Sequence, residues 1–437
     1  MNVQPGPAST TSSTITHEPV AAEPAPSAVA PAKRRGFAAF QSRNFVLLWT
    51  GLIISNVGTW MATTAEGWLV ADISGDRAAF SLGLIGISFA IPMLVLPPFG
   101  GVVVDRVHRL KLLWLVQILY LFLSSALAIL TLTGAINIPL LMGYAFLNAS
   151  ILAFDSPCRN ALLPDIVTKE QLTSAVSMNS ASFTGAQMIG PVIAGALIPF
   201  IGVSGVFVVN AVSCIATLWA LFQMKGVPNI RHDQEGERVM TSIKRGVSYI
   251  RESELLSGLL LMSLIFGFFV RGFGPMLVVF ARDIFHVGSV GFGLLSAATG
   301  FGTLAGALML ASRHDISNKV RIGVVAIFGC CAALFLFAIS PWYIPAFAFL
   351  VVVGFFNLAA VSMIATTIQL RVPPELRGRV MSLYMLTVIG VPSAGAFLSG
   401  TIANLFGVQF AVAAGALIVL ALVALTAFRN GEIREAF

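Results

Sequence analysis

Unbroken apolar runs of about 20 residues recur along the chain from position 45 to position 428. Apolar and polar residues do not alternate within these runs, as they would in the strands of a membrane barrel. A helix of about 20 residues rises ~30 Å, which is the thickness of the hydrocarbon core of a bilayer. The pattern therefore predicts an all-α polytopic membrane protein with twelve transmembrane helices. The predicted spans cover approximately residues 45–70, 80–104, 112–133, 138–160, 173–200, 203–224, 255–281, 288–311, 320–340, 342–368, 380–404 and 407–428.

The composition agrees with this pattern and excludes a soluble protein. The 437 residues are 57% hydrophobic and 10% charged, with a mean hydropathy of +0.90. A soluble domain carries about 25% charged residues. Most of the surface is therefore expected to face lipid, so the bilayer itself is the main environment of the chain.

The basic residues are distributed unevenly between the predicted loops. With an even number of spans, both termini lie on one side, and that side holds 23 of the 26 Lys and Arg residues. Only Arg77 and Arg282 fall on the other side, and Arg271 lies within span seven. The positive-inside rule then places both termini in the cytoplasm of a cell that carries the protein in its plasma or inner membrane. The net charge of +7 is explained by this topology, and a nucleic-acid partner is not expected.

The same pattern divides the chain into segments. Residues 1–36 are rich in Ala, Pro, Ser and Thr and predict a disordered cytoplasmic tail. Residues 37–224 and 255–428 form two six-helix halves, and 429–437 form a cytoplasmic C-terminus. The loop 225–254 between the halves carries Ile243, Val247 and Ile250 at helical spacing. That spacing favours an amphipathic helix on the membrane surface, the alternative being a plain linker.

The two halves repeat one another in glycine positions. A constant offset of 205 residues relates seven glycine pairs, which indicates a duplicated six-helix unit in parallel orientation. The pairs are Gly83 and Gly288, Gly86 and Gly291, Gly101 and Gly306, Gly185 and Gly390, Gly190 and Gly395, Gly195 and Gly400, and Gly202 and Gly407.

A short basic stretch, GGVVVDRVHRLK, separates spans two and three and must form a tight turn between them. It resembles the G-x-x-x-D-R-x-G-R-K motif of major facilitator superfamily transporters. The matching positions are Gly101, Asp105, Arg106, Arg109 and Lys111, and His108 stands where the family usually has glycine. Basic loops are common on the cytoplasmic side of any membrane protein, but the spacing with a glycine and an aspartate favours the motif. The resemblance implies the twelve-helix fold of that superfamily.

Span five contains GAQMIGPVIAGAL, with Gly185, Gly190, Pro191 and Gly195. This sequence resembles the G-x-x-x-G-P-x-x-G motif of proton-coupled antiporters in the same superfamily. Small residues at this spacing also allow helices to approach closely, so helix packing alone is the alternative interpretation. The resemblance favours an exporter over an importer and implies protons as a partner.

The segment DSPCRNALLPDIV after span four is similar to the corresponding segment of enterobactin exporters and transmembrane secretion effectors. The similarity extends over most of the chain from Arg43 to Phe428. In the family, the aspartate matching Asp105 sits near the start of span eleven, which implies a gating contact there. Asp155 is expected to pair with Arg109 or Arg159 and to help close the cytoplasmic face.

Polar residues lie on one face of span one. Asn56, Thr59, Thr63 and Glu66 fall within an arc of about 80°. Glu66 and Arg271 are 205 residues apart and so occupy equivalent positions of the two halves. A charge near the bilayer centre costs ~2.5–3.5 kcal/mol on insertion scales, so each is expected to face a cavity or a partner. We expect the two to approach each other when the outer side is closed; the alternative for Glu66 is an orientation toward the outer interface beside Asp72.

Other chemistries find no support in the sequence. The four cysteines and five histidines lack metal-ligand spacing, and no Walker A or other catalytic motif is present. No metal, cofactor or enzymatic activity is therefore expected. The sequence predicts a monomeric secondary transporter that exports a small amphipathic molecule, such as a siderophore, a drug or a secreted metabolite, in exchange for protons. Two alternatives remain open: an uptake symporter of the same fold, and a membrane receptor or scaffold that does not transport.

Overall fold

A computed structural model describes residues 1, 2, 6, 35–227, 239–312 and 318–435. Within these ranges the regular structure is helical throughout, as predicted. Most of the predicted tail, and residues 228–238 of the central loop, lie outside the described residues.

The helices of the first part of the chain follow the predicted spans closely. A 3₁₀ turn at Arg35–Gln41 precedes them. The helices are α1 Arg43–Ser74, α2 Ala78–Val95, α3 Pro97–Arg106, α4 Arg109–Leu132, α5 Ile138–Ile166, α6 Lys169–Gln223 and α7 Val239–Glu252, with a 3₁₀ turn at Gly75–Arg77.

The second part contains more irregular helical segments. Its helices are α8 Glu254–Phe269, α9 Leu277–Val279, α10 Gly288–Ser312, α11 Lys319–Ile339, α12 Tyr343–Arg371, α13 Pro374–Met385, α14 Val391–Phe406, α15 Val408–Arg429 and α16 Gly431–Glu435. A 3₁₀ segment lies at Arg271–Met276, and π-helical turns lie at Phe280–Ile284 and Leu386–Gly390.

The chain crosses the bilayer twelve times. Within the described residues, ten continuous helical stretches are long and apolar enough to cross a membrane. Two of these, Arg43–Val95 and Lys169–Gln223, contain 53 and 55 residues, or about 80 Å of straight helix against about 30 Å of hydrocarbon. Each contains a glycine with positive φ, Gly75 at 54° and Gly202 at 69°, where the chain reverses. Each of the two stretches is therefore a pair of crossings, and the twelve predicted spans are confirmed.

Two ends of the bundle can now be distinguished. The terminal end is where α1 begins and α15 ends; the distal end is the opposite one, where Gly75 and Gly202 reverse the chain. The first unit denotes the first six crossings and the second unit the last six.

Glycine contacts join the two units in the distal half of the bundle. A Cβ atom on Gly83 of α2 would lie 3.1 Å from Phe397 Cα of α14, and one on Gly400 would lie 3.1 Å from Gly83 Cα. Between α6 and α10, a Cβ on Gly195 would lie 3.0 Å from Gly293 Cα. Such separations leave no room for a side chain. Gly195 and Gly400 are one of the pairs related by 205 residues, so the two seams are equivalent parts of the repeat.

Helix α10 packs differently in its two halves. From Ser289 to Gly300, buried residues occur on several faces of the helix. Beyond Gly300 only Gly302 and Gly306 are buried, and both pack against α12. The other faces there are exposed, with Leu308 at 64%. The close contacts between α10 and α6 therefore lie in the distal half of α10.

Helix α7 occupies the region where the amphipathic helix was predicted. Gly246 is buried beside Arg379 and Leu383 of α13, and Ile250 packs against the hydrophobic core of the second unit. Part of the apolar face of α7 is therefore covered by the protein itself rather than by lipid.

The last helix, α16, is fastened to the beginning of α8. Asn430 Nδ2 donates to the Glu254 carbonyl at 2.5 Å, and Gly431 N donates to Glu254 Oε1 at 2.8 Å. Asn430 Oδ1 accepts from Ile433 N, whose side chain is fully buried beside Gly258. This terminal clasp joins the first and last elements of the second unit.

Candidate functional site

The first polar cluster in the bundle interior lies where α1, α5 and α6 meet. Arg159 Nε donates to Asp155 Oδ1 at 2.7 Å, across one turn of α5, and the side chains are 14% and 6% exposed. Arg159 Nη1 donates to Asn56 Oδ1 at 3.2 Å, and Asn56 Nδ2 donates to Ser182 Oγ at 3.5 Å. The predicted pairing of Asp155 with Arg159 is confirmed. The two buried charges neutralise each other, so this cluster is electrically balanced.

Arg109 pairs with an aspartate that the sequence reasoning missed. Its Nη1 atom lies 2.8 and 2.9 Å from the two carboxylate oxygens of Asp165 and donates to the Ala161 carbonyl at 3.0 Å. Arg109 begins α4 and Asp165 lies near the end of α5, so the antiparallel helices bring them to the same level. That adjacency of consecutive spans is the signal from which Asp165 could have been found.

The glutamate of α1 lies in a different environment. Glu66 Oε1 is buried and has no hydrogen-bond partner within the described residues. The hydroxyls of Thr59 and Thr63 on the same face donate to carbonyls of their own helix, those of Ser55 and Thr59, at 2.9 and 3.0 Å. Because Oε1 is buried, Glu66 does not reach out to the interface beside Asp72 as the alternative supposed. Glu66 Oε1 is the one buried side-chain polar atom of this arc that lacks a hydrogen-bond partner among the described residues.

Thr59 and Thr63 are exposed on this face of α1. Asn56, three residues before Thr59 on the same arc, bonds to Arg159 of α5 and to Ser182 of α6, as described above. The polar face of α1 therefore begins beside two other helices of the first unit.

Arg271 of the second unit does not pair with Glu66, and the expectation of an ion pair with the distal end closed is wrong. Its Nη1 atom instead donates to the Val388 carbonyl at 2.7 Å. That carbonyl lies in the π-helical turn Leu386–Gly390, and the residue four positions later is Pro392, which has no N–H to donate. Arg271 therefore supplies the hydrogen bond that the helix lacks.

Two further buried polar groups were missed by sequence reasoning. Both side-chain polar atoms of Gln117, which is fully buried in α4, and Oδ1 of Asn357 in α12 have no partner among the described residues. They could have been found from the sequence, because each is an isolated amide within an apolar span.

The stretch at the terminal end forms a shorter turn than predicted. Helix α3 continues to Arg106 and α4 begins at Arg109, so only Val107 and His108 are outside helices. His108 has φ of −67°, which requires no glycine. Arg106 and Lys111 are exposed, whereas the surroundings of Gly101 and the side chain of Asp105 lie outside what the structure describes. The expected contact of Asp105 with span eleven stays a prediction.

Metal ligands are not grouped anywhere in the described part of the chain. No three His, Cys, Asp or Glu side chains there are arranged to hold an ion, and the four cysteines are buried and unpaired.

Comparison with known proteins identifies the family. The model of the transmembrane secretion effector family matches residues 34–436, nearly the whole chain after the tail. The chain belongs to this family.

Two relatives of this chain have names that state what they transport. Macrolide efflux protein A of Streptococcus pyogenes is 24% identical over 376 residues, covering 84% of this chain and 90% of the relative. Enterobactin exporter EntS of Escherichia coli O1:K1 / APEC is 25% identical over 373 residues, covering 81% and 85%.

Comparison with a solved structure shows that this chain has the major facilitator fold. The bacterial homologue of the human lysosomal transporter Spinster, inward-facing and unoccupied, matches with a TM-score of 0.68 at 16% identity, covering 90% of this chain and 96% of that one. Family and fold together make the protein an integral transporter of the cell membrane that acts on small molecules.

Two glycines of the antiporter-like motif lie at close contacts between helices. A Cβ on Gly190 would lie 2.6 Å from Trp60 Cβ and 3.1 Å from the Val57 carbonyl of α1. Gly195 lies in the seam with α10 described above, next to Pro191. Gly185 has nothing within 4 Å of the position of a Cβ. Packing thus accounts for Gly190 and Gly195 but not for Gly185.

These contacts predict a difference between two alanine substitutions in α6. Gly190→Ala should lower the free energy of unfolding by about 1–3 kcal/mol because the methyl group overpacks α1. Gly185→Ala is the matched control and should leave stability unchanged or raise it by up to about 1 kcal/mol, since alanine favours helix. Thermal unfolding of the purified protein in detergent measures both. A larger loss for Gly185→Ala would contradict the packing interpretation.

The buried ion pair predicts non-additive substitutions. Arg159→Met leaves the charge of Asp155 uncompensated and should lower the free energy of unfolding by about 3–5 kcal/mol. The double variant Arg159→Met/Asp155→Leu removes both charges and should lower it much less. The same unfolding measurement checks this. Additive losses in the double variant would show that the two side chains act independently.

Proposed function

We propose that this protein exports a small amphipathic molecule from the cytoplasm in exchange for protons. The observation that carries the proposal is the carboxyl group of Glu66, which lies on the polar face of α1 and has a buried oxygen without a hydrogen-bond partner among the described residues. An unpaired charge there is costly. A proton or a cationic or hydrogen-bonding group of a substrate removes that cost, so the two can occupy the site in turn.

The orientation follows from the basic residues. The terminal end carries nearly all Lys and Arg residues, so we place it in the cytoplasm together with both termini. In the proposed cycle this end opens to the cytoplasm, where an exporter takes up its substrate. The halves 37–224 and 255–428 are proposed as the two bodies that rock about the site, linked by 225–254.

An exchange cycle can be written from these positions. With the terminal end open, Glu66 releases its proton to the cytoplasm and the substrate binds beside it. Arg271 offers the remaining donors of its guanidinium to acceptor groups of the substrate. After the distal end opens, a proton from outside neutralises Glu66 and the substrate leaves. Each proton carried inward contributes about 2.3 kcal/mol per 100 mV of membrane potential.

Asp105 is proposed to act at the terminal end of this cycle. At the close of α3 it would contact the positive N-terminal end of the eleventh crossing when the cytoplasmic side shuts. Arg106, Arg109 and Lys111 would surround that contact.

The names of the relatives support export as the direction. The Streptococcus pyogenes relative is a macrolide efflux protein and the Escherichia coli relative an enterobactin exporter. Macrolides and enterobactin are therefore the first substrates to test. We propose that the monomer is the transporting unit, without a cofactor or an enzymatic step.

The orientation predicts a labelling pattern in intact cells. Cysteines introduced at Asp76 and Thr133, which are exposed at the distal end, should react with a membrane-impermeant maleimide. Cysteines at Ser248 and Gly378, exposed at the terminal end, should react only after the cells are permeabilised. The four native cysteines are buried and give a low background. The reverse pattern would overturn the assigned orientation.

The proton site predicts the effect of one isosteric substitution. Glu66→Gln keeps the shape of the side chain but cannot exchange a proton, so efflux driven by a pH gradient should fall at least about tenfold. Efflux of a macrolide and of enterobactin from proteoliposomes is the measurement. Asp72→Asn, in the same helix but exposed at the distal end, is the matched control and should transport normally.

Each outcome of that assay separates the candidate functions. Full gradient-driven efflux by Glu66→Gln would remove Glu66 from the mechanism. Accumulation of substrate in the direction of the protons would identify a symporter. Binding without movement of any substrate tested would favour a receptor or scaffold.

A further inference from the structure

Arg282 connects the two units at the distal end. It lies in the π-helical turn Phe280–Ile284, at the end of the seventh crossing. Its guanidinium reaches across to the first unit, where Nη1 donates to the Ala71 carbonyl and Nη2 donates to the Gly75 carbonyl at 2.8 Å. One side chain of the second unit therefore holds two backbone atoms of the first.

The acceptors lie at the C-terminal end of α1. The last four carbonyls of a helix have no donor within the helix, and this end carries partial negative charge. Gly75, with φ of 54°, turns the chain immediately after Ser74. The guanidinium thus donates to one of these carbonyls, that of Ala71, and to the Gly75 carbonyl just beyond them, which also accepts from Ala78 N. It meets the favourable charge of the helix end and acts as a cap supplied by the other unit.

Asp283 orients the guanidinium for this role. Its Oδ1 accepts from Arg282 Nε at 2.5 Å and its Oδ2 from Nη2 at 3.2 Å. A planar fork held on one edge by a carboxylate presents its other edge in a fixed direction. Arg282 is 25% exposed, so the contact is shielded only in part from water.

The other distal contacts between the units differ in kind. The glycine seams and the stacked rings of Trp68 and Phe292, 6.1 Å apart, are van der Waals contacts. The Ser289 hydroxyl donates a neutral hydrogen bond to the Gly195 carbonyl at 3.2 Å. Arg282 adds charged and directional bonds, which break as a set when α1 separates from the seventh crossing.

We propose that Arg282 is the latch of the distal gate, a positioning residue that sets how often this end opens. The proposal rests on the alternating opening of the proposed transporter, but not on its substrate or coupling ion. Since α1 carries both the latched carbonyls and Glu66, release of the latch frees the helix that bears the proposed proton site.

The test uses a cysteine that is reached only when the distal end opens. Ala79, 6% exposed, lies in the seam between α2 and α14, so Ala79→Cys reports separation of the units there. The full chain in nanodiscs is treated with N-ethylmaleimide, without substrate or gradient. Arg282→Gln should raise the labelling rate about tenfold, as the loss of a charge-assisted bond implies. A rate equal to that of the chain with Arg282 intact would overturn the proposal.

Arg77 provides the matched control. It is the other basic residue assigned to this side, is exposed, and makes no hydrogen bond or ion pair within the described residues. Arg77→Gln should leave the labelling rate unchanged, and an equal rise would show a general effect of charge and overturn the latch. Equal acceleration at the fully buried native Cys331 would mean general loosening and would also overturn it.

A second variant keeps the test decisive if Arg282→Gln does not fold. Arg282→Lys retains the positive charge but cannot present a fork to both carbonyls. A severalfold rise in labelling of Ala79→Cys supports the latch, and an unchanged rate refutes it. Because no substrate is present, a negative transport assay leaves this result intact.

Discussion

Backbone hydrogen bonding in the absence of water is the constraint on which this structure depends. In hydrocarbon, each N–H and C=O must find its partner within the protein, which favours continuous helices. Where a helix is interrupted or ends, a backbone carbonyl lacks its donor within the helix. At these places a side chain supplies the hydrogen bond. Arg271 donates to the Val388 carbonyl because Pro392 has no N–H to donate, and Arg282 donates to carbonyls at the end of α1.

Close packing of glycines is the second determinant of the architecture. Lipid supplies no hydrophobic force between helices, so association relies on short contacts and on polar groups. The seams at Gly83 with Gly400 and at Gly195 with Gly293 provide the first, and they are concentrated in the distal half. Beyond Gly300, α10 retains only one packed stripe. The same helix thus takes part in a seam between the units at one end, and at the other its buried residues pack only within its own unit.

The sequence was a good guide wherever a local pattern decides the structure. Apolar runs specify the twelve crossings, and the four-residue spacing of Asp155 and Arg159 on one helix specifies their pair. The sequence did not predict the partner of Arg271, which was expected to approach Glu66. That partner is the Val388 carbonyl, which is left without a donor by a proline more than a hundred residues away from Arg271. A backbone carbonyl cannot be recognised as a partner from the residue type. Sequence reasoning missed Asp165 because that contact follows from the level at which two antiparallel helices end. Turn length near His108 was likewise set by how far α3 continues.

The terminal clasp has a consequence for the order in which the second unit folds. Glu254 begins this unit, yet its partners Asn430 and Gly431 follow it by 176 and 177 residues. Ile433 fills its buried place beside Gly258 only after α15 has been inserted. The start of α8 therefore stays without its final contacts until all six crossings of the second unit have been translated, and a ribosome stalled before codon 430 would leave that end of the helix without its partners.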